Sequence, residues 1–161
     1  MSEPYDFIFR SIDGGALPFR AWRGKPVLVV NTASYCAFTP QYAGLQKLWE
    51  RNRQRGLVVL GVPSNDFGEQ EPGSAAEIEA FCKTRYGVDF PLAEKCRVTG
   101  PHCHPFYRWI EETIGEAAAP RWNFHKILIA PDGLPAGLWP SEIDPCDPAI
   151  AAEIEQLLPS R

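Results

Sequence analysis

The sequence predicts an α/β domain: a central mixed β-sheet flanked by helices and preceded by an N-terminal β-hairpin. Three observations carry this. Residues 26–31 (PVLVVN) and 57–63 (LVVLGVP) are continuous apolar, β-branched runs, as in strands covered on both faces. Between them Leu45, Leu48 and Trp49 recur at helical spacing. Beyond them lie two more helical stretches, a strand pair and a last helix.

Residues 5–24 place Phe7 and Phe9 before Asp13-Gly14-Gly15, and Leu17 and Phe19 after it, which reads as a hairpin turning at the glycines. The first buried strand leads into the loop TASYCAFTP. Pro40 suits the first position of a helix that Gly56 stops. Strand, helix and strand imply a parallel pair. The polar stretch SNDFGEQEPG is a loop, and Ser74 with Glu77 forms a capping box. The helix it opens carries Ile78, Phe81 and Cys82 on one face and ends at Gly87. Residues 105–114 form a further helix, and 126–130 and 137–140 form strands around Pro131-Asp132-Gly133. Asp147 caps a helix reaching Leu158, with Pro148 at its first position. A βαβ half followed by an antiparallel ββα half is the build of a thioredoxin-like sheet. Residues 1–161 are read as one such domain.

Composition narrows the function. The 161 residues are 45% apolar and 22% charged, with net charge −4 and no long run of one sign. That pattern disfavours a nucleic-acid surface or an anionic membrane face. The N-terminus lacks an apolar signal core, and no run reaches the ~18–20 residues of a membrane span. A cytoplasmic protein is expected. Cys36, Cys82, Cys96, Cys103 and Cys146 are odd in number and irregular in spacing, which points to free or catalytic thiols rather than a disulfide framework.

Cys36 follows a buried strand and precedes a helix, where unpaired amides and the helix dipole favour an anion. There the anion is a thiolate, the form that attacks peroxide oxygen to give a sulfenic acid. The competing reading is an inert buried cysteine. The wording around it, VVNTASYCAFTPQY, resembles the signature of the glutathione peroxidase family. SNDFGEQEPG and RWNFHKILIA resemble two further motifs of that family in the right order, and FCKTRYGVDFP and HPFY extend the match over residues 5–150.

The resemblance implies a hydroperoxide-reducing enzyme with Cys36 as peroxidatic residue beside Gln70, Trp122 and Asn123. Their amides and indole would favour thiolate and hold the peroxide. It also implies that Cys82 resolves the sulfenic acid as a Cys36–Cys82 disulfide; the alternative is that Cys82 only packs in the core. The helix carrying Cys82 would then have to shift or unwind. The compact IGEAAAP connection resembles monomeric members that use thioredoxin as reductant, with no cofactor and no metal. Other readings stay open: a one-cysteine, glutathione-dependent peroxidase, and a peroxide sensor passing oxidation to a partner. A metal site at Cys96, His102, Cys103 and His104 is a third. Asp66, where the family often has Gln, is expected to oppose the thiolate.

Overall fold

A computed structural model describes residues 3–160. The chain opens with β1 (Ile8–Arg10) and β2 (Ala16–Pro18), an antiparallel pair. The main sheet contains β3 (Val27–Thr32), β4 (Val58–Pro63), β5 (Lys126–Ile129) and β6 (Pro135–Trp139), in the order β4-β3-β5-β6. β3 pairs parallel with β4 and antiparallel with β5, which pairs antiparallel with β6. The helices are α1 (Gln41–Asn52), α2 (Ala75–Tyr86), α3 (Pro105–Ile114) and α4 (Pro148–Leu157). This is the thioredoxin-like mixed sheet the sequence implies.

Alternation along the strands sorts side chains to two cores. Leu28, Val30, Val59 and Leu128 face Tyr42, Leu45 and Leu48 of α1, Ile78 and Cys82 of α2, and Ile150 and Ile154 of α4. Val27, Val29, Leu60, Ile127 and Ile129 face Phe106, Trp109 and Ile110 of α3, together with Phe9 and Phe19 of the hairpin region. β3 and β4 are buried along their whole length. That explains why they read as unbroken apolar runs and not as alternating ones.

The helix ends follow local chemistry. The Ser74–Glu77 capping box is complete, and Gly87 at φ 61° accepts the left-handed turn that ends α2. Asp147 caps α4 through the Ala149 N–H. Pro40 differs from the expectation: it is the residue before the first helical one. The chain at 36–40 is instead a tight turn, closed by Thr39 N–H to Cys36 C=O at 3.0 Å and Gln41 N–H to Phe38 C=O at 2.8 Å. Among the described residues no helix is long and apolar enough to cross a membrane.

Gly61 in β4 leaves no room for a side chain: a Cβ there would stand 2.7 Å from Leu92 Cδ2 and 3.2 Å from Phe90 Cε1. Gly61→Ala is expected to lower stability by about 1–3 kcal/mol, the usual cost of overpacking a core. Urea unfolding measures it, and an unchanged midpoint would contradict this packing.

Candidate active site

Cys36 lies on the loop between β3 and α1, at the carboxyl end of the parallel pair. Thr39 builds the loop. Its hydroxyl accepts the Cys36 N–H at 2.9 Å and donates to the Ala33 C=O at 2.8 Å. The resulting turn aims the Phe38 N–H at Cys36 Sγ, 3.3 Å away. The Phe38 amide thus gives this sulfur a backbone donor. It belongs to the turn ahead of α1 and not to α1 itself, because the helix begins only at Gln41. Cys36 is buried, with 8% of its surface exposed.

The loop after β4 runs beside it. Tyr35 N–H donates to the Gln70 C=O at 3.0 Å. Asn123 Nδ2 donates to Gln70 Oε1 at 2.9 Å, tying that loop to the segment entering β5. Asn31 Nδ2 donates to the Trp122 C=O at 2.9 Å, and Phe124 N–H returns to the Asn31 C=O. Glu69 (φ 52°) and Phe124 (φ 65°) are non-glycine residues in left-handed backbone, and they flank Gln70 and Asn123 respectively. Such conformations cost energy and persist only where surrounding bonds enforce them. Gly68 at φ 67° brings its backbone under the Trp122 ring: a Cβ there would be 3.0 Å from Trp122 Cη2. The Phe67 ring sits 5.9 Å from the Trp122 ring.

Gln70, Trp122 and Asn123 thus meet at one end of the sheet with Cys36. No hydrogen bond joins any of the three side chains to the sulfur among the described residues. Gln70 and Asn123 are paired with each other through one donor and one acceptor, which leaves Gln70 Nε2 available. Trp122 and Phe38 share the wall of an adjoining groove of about 640 Å³, whose lining includes Leu138, Trp139, Arg121 and Glu142.

Asp66 is bonded to a loop of its own. Its Oδ2 accepts Val98 N–H at 2.7 Å, Thr99 N–H at 3.1 Å and the Thr99 hydroxyl at 3.2 Å, and Arg97 is 3.5 Å from Oδ1. These bonds tie the carboxylate to the loop at 97–99. His104 is similarly committed: Nδ1 accepts Phe106 N–H at 3.1 Å, Nε2 contacts Ile8 C=O at 3.0 Å, and the ring stacks on Phe9. No cluster of three metal-ligating side chains occurs among the described residues.

Cys82 is fully buried on α2, and burial pushes its thiol up to about 11. It lies in the same core as Cys36, and both are free thiols. Sequence reasoning missed Thr39, although a threonine three residues beyond a loop cysteine is the local signal of a side-chain-closed turn.

The glutathione peroxidase family model matches residues 4–111. Hydroperoxy fatty acid reductase gpx1 of Synechocystis sp. is 45% identical over 96% of this chain and 95% of its own length. The glutathione peroxidase-like peroxiredoxin gpx1 of Schizosaccharomyces pombe is 45% identical over 83% of this chain and 85% of its own. Among solved structures, Trgpx superposes with a TM-score of 0.74 at 32% identity, covering 98% of this chain and 99% of that one. The chain belongs to the glutathione peroxidase family and is a peroxidase.

Thr39→Val removes the hydroxyl that serves Cys36 N–H and Ala33 C=O. It is expected to cost about 1–3 kcal/mol of stability through unpaired buried groups. It should also lower the second-order rate of hydroperoxide reduction. Stopped-flow kinetics beside a thermal melt measure both, and wild-type values in each would remove Thr39 from the site.

Proposed function

We propose that Cys36 is the peroxidatic thiol of an enzyme that reduces hydrogen peroxide and organic hydroperoxides, with fatty-acid hydroperoxides among its substrates. The observation that carries this reading is the Phe38 N–H aimed at Cys36 Sγ, in a loop stitched to Gln70 and through it to Asn123. The apolar groove beside Trp122 and the name of the Synechocystis relative support the acyl-chain substrate.

In this reading the Cys36 thiolate attacks the terminal peroxide oxygen. The O–O bond breaks, Cys36 becomes a sulfenic acid, and the departing alkoxide takes a proton to leave as alcohol. Gln70 Nε2 and the Trp122 indole N–H hold the peroxide and stabilise the charge that develops on the leaving oxygen. Asn123 fixes the Gln70 amide so that Nε2, not Oε1, is presented. None of these groups exchanges protons at neutral pH, so the proton travels with water or the peroxide itself.

Cys82 then condenses with the sulfenic acid, releasing water and forming a Cys36–Cys82 disulfide, which thioredoxin reduces by dithiol exchange. The buried position of Cys82 requires α2 to open for this step. The peroxiredoxin names of relatives support a protein dithiol as donor.

Peptide mapping after one equivalent of hydroperoxide is expected to find the Cys36–Cys82 linkage, and turnover is expected with thioredoxin. A stable sulfenic acid in wild type, turned over by glutathione alone, would replace this cycle with a one-cysteine one. Helix opening gives a second test. Ser74→Ala removes the α2 cap and weakens the helix by about 1 kcal/mol, so disulfide formation should quicken about fivefold. A slower or unchanged step would show that α2 opening does not limit resolution.

A further inference from the structure

The groove beside Trp122 draws on distant parts of the chain, and one buried cation joins them. Phe38 comes from the Cys36 loop and Trp122 from the segment entering β5. Leu138 and Trp139 end β6, and Pro140, Ser141 and Glu142 form the turn that follows. The Trp139 ring lies back across its own strand. A Cβ on Gly137 would stand 2.5 Å from Trp139 Cη2, so glycine is what admits the ring there. β6 stops at Trp139, so sheet pairing does not reach the turn. The turn itself is closed by Ile143 N–H to Pro140 C=O at 3.2 Å.

Ser141 fastens this turn to the rest of the molecule. Its C=O accepts Lys126 Nζ at 3.1 Å and Gln41 Nε2 at 2.7 Å. A carbonyl has two lone pairs, and both are engaged. Lys126 is fully buried on β5, where it pairs with Trp139 in the ladder, and Gln41 is buried at the start of α1. Gln41 also leads toward the sulfur. Its backbone N–H donates to Phe38 C=O at 2.8 Å, and the Phe38 N–H meets Cys36 Sγ. A short run of hydrogen bonds therefore links the groove wall to the thiol loop.

Lys126 is an expensive residue to pack. Burial pushes it down to about 8, with Asp144 and Glu142 opposing that shift from a distance. No carboxylate forms an ion pair with it among the described residues. Burying a charge is unfavourable, and methionine, of similar length, would fill the space without that penalty. What lysine adds is a strong, charge-assisted donor to one carbonyl.

We infer that Lys126 is a positioning residue for long-chain hydroperoxides: its bond to the Ser141 C=O holds residues 139–142 as the wall against which the alkyl chain packs. The inference rests on the reading of this groove as the acyl-chain site. It divides substrates by size. A short hydroperoxide needs only the sulfur and the donors around it. A long chain is bound by apolar contact along the groove, and that contact requires Leu138 and Trp139 to keep their place beside Phe38 and Trp122.

The test is stopped-flow oxidation of wild type, Lys126→Met and Gln41→Leu by linoleic acid hydroperoxide and by ethyl hydroperoxide, read as the ratio of the two second-order rates. Wild type should favour the long chain. Lys126→Met should lower the ratio on the order of tenfold, since a displacement of about 1 Å can cost up to about 100-fold. Gln41→Leu removes the uncharged donor and should lower it about threefold, because charge-assisted bonds are roughly twice as strong as neutral ones. A wild-type ratio in Lys126→Met, or in Gln41→Leu should the lysine variant not fold, overturns the inference and leaves the acyl-chain reading intact. A wild type that does not distinguish the two hydroperoxides overturns both.

Discussion

The direction of three strands governs this site. β3 and β4 run parallel, so the loops leaving their carboxyl ends emerge at the same edge of the sheet. β5 lies antiparallel to β3, so the segment entering it arrives at that edge as well. Backbone pairing therefore brings residues 33–40, 64–74 and 121–125 together before any side chain is considered. The bonds from Tyr35 to Gln70, from Asn123 to Gln70 and from Asn31 to Trp122 then fix their spacing. Fully buried β3 and β4 make this frame rigid, and rigidity is what a set of neutral hydrogen-bond donors needs to act by preorganisation.

The site combines a strained periphery with a relaxed sulfur. Glu69 and Phe124 hold uncommon backbone angles, and Gly68 presses against the Trp122 ring. Around Cys36 the loop is instead well satisfied, through Thr39 and the Phe38 amide. Strain is thus placed on the segments that carry Gln70, Trp122 and Asn123, while Cys36 sits in a turn that local bonds make stable. α2 differs again. It is held by a capping box, a left-handed glycine and the burial of Ile78 and Cys82.

Much of the fold was legible because its signals are local. The unbroken apolar runs of β3 and β4 announced two-faced burial, Ser74 with Glu77 announced the α2 cap, and Gly56 and Gly87 announced helix stops. The position of Cys36 between strand and helix was equally local. Pro40 was misplaced by one position because the tight turn at Cys36–Gln41, closed by Thr39, takes up the residues just before it. What could not be read from the chain depends on partners far apart in sequence. Asp66 looked like a charge beside the sulfur, yet it is absorbed by Arg97, Val98 and Thr99. Gln70 and Asn123 were both expected beside the sulfur, but the bond between their amides spans 53 positions and no local signal announces it.

The central claim is that one thiol of five receives the peroxide oxygen. Sulfenic-acid trapping with a dione nucleophile, followed by peptide mapping, tests it most directly when done on Cys82→Ser so that the intermediate persists. After one equivalent of hydroperoxide the label is predicted on Cys36 and on no other cysteine. Label on Cys96, Cys103 or Cys146, with Cys36 recovered as free thiol, would contradict the account.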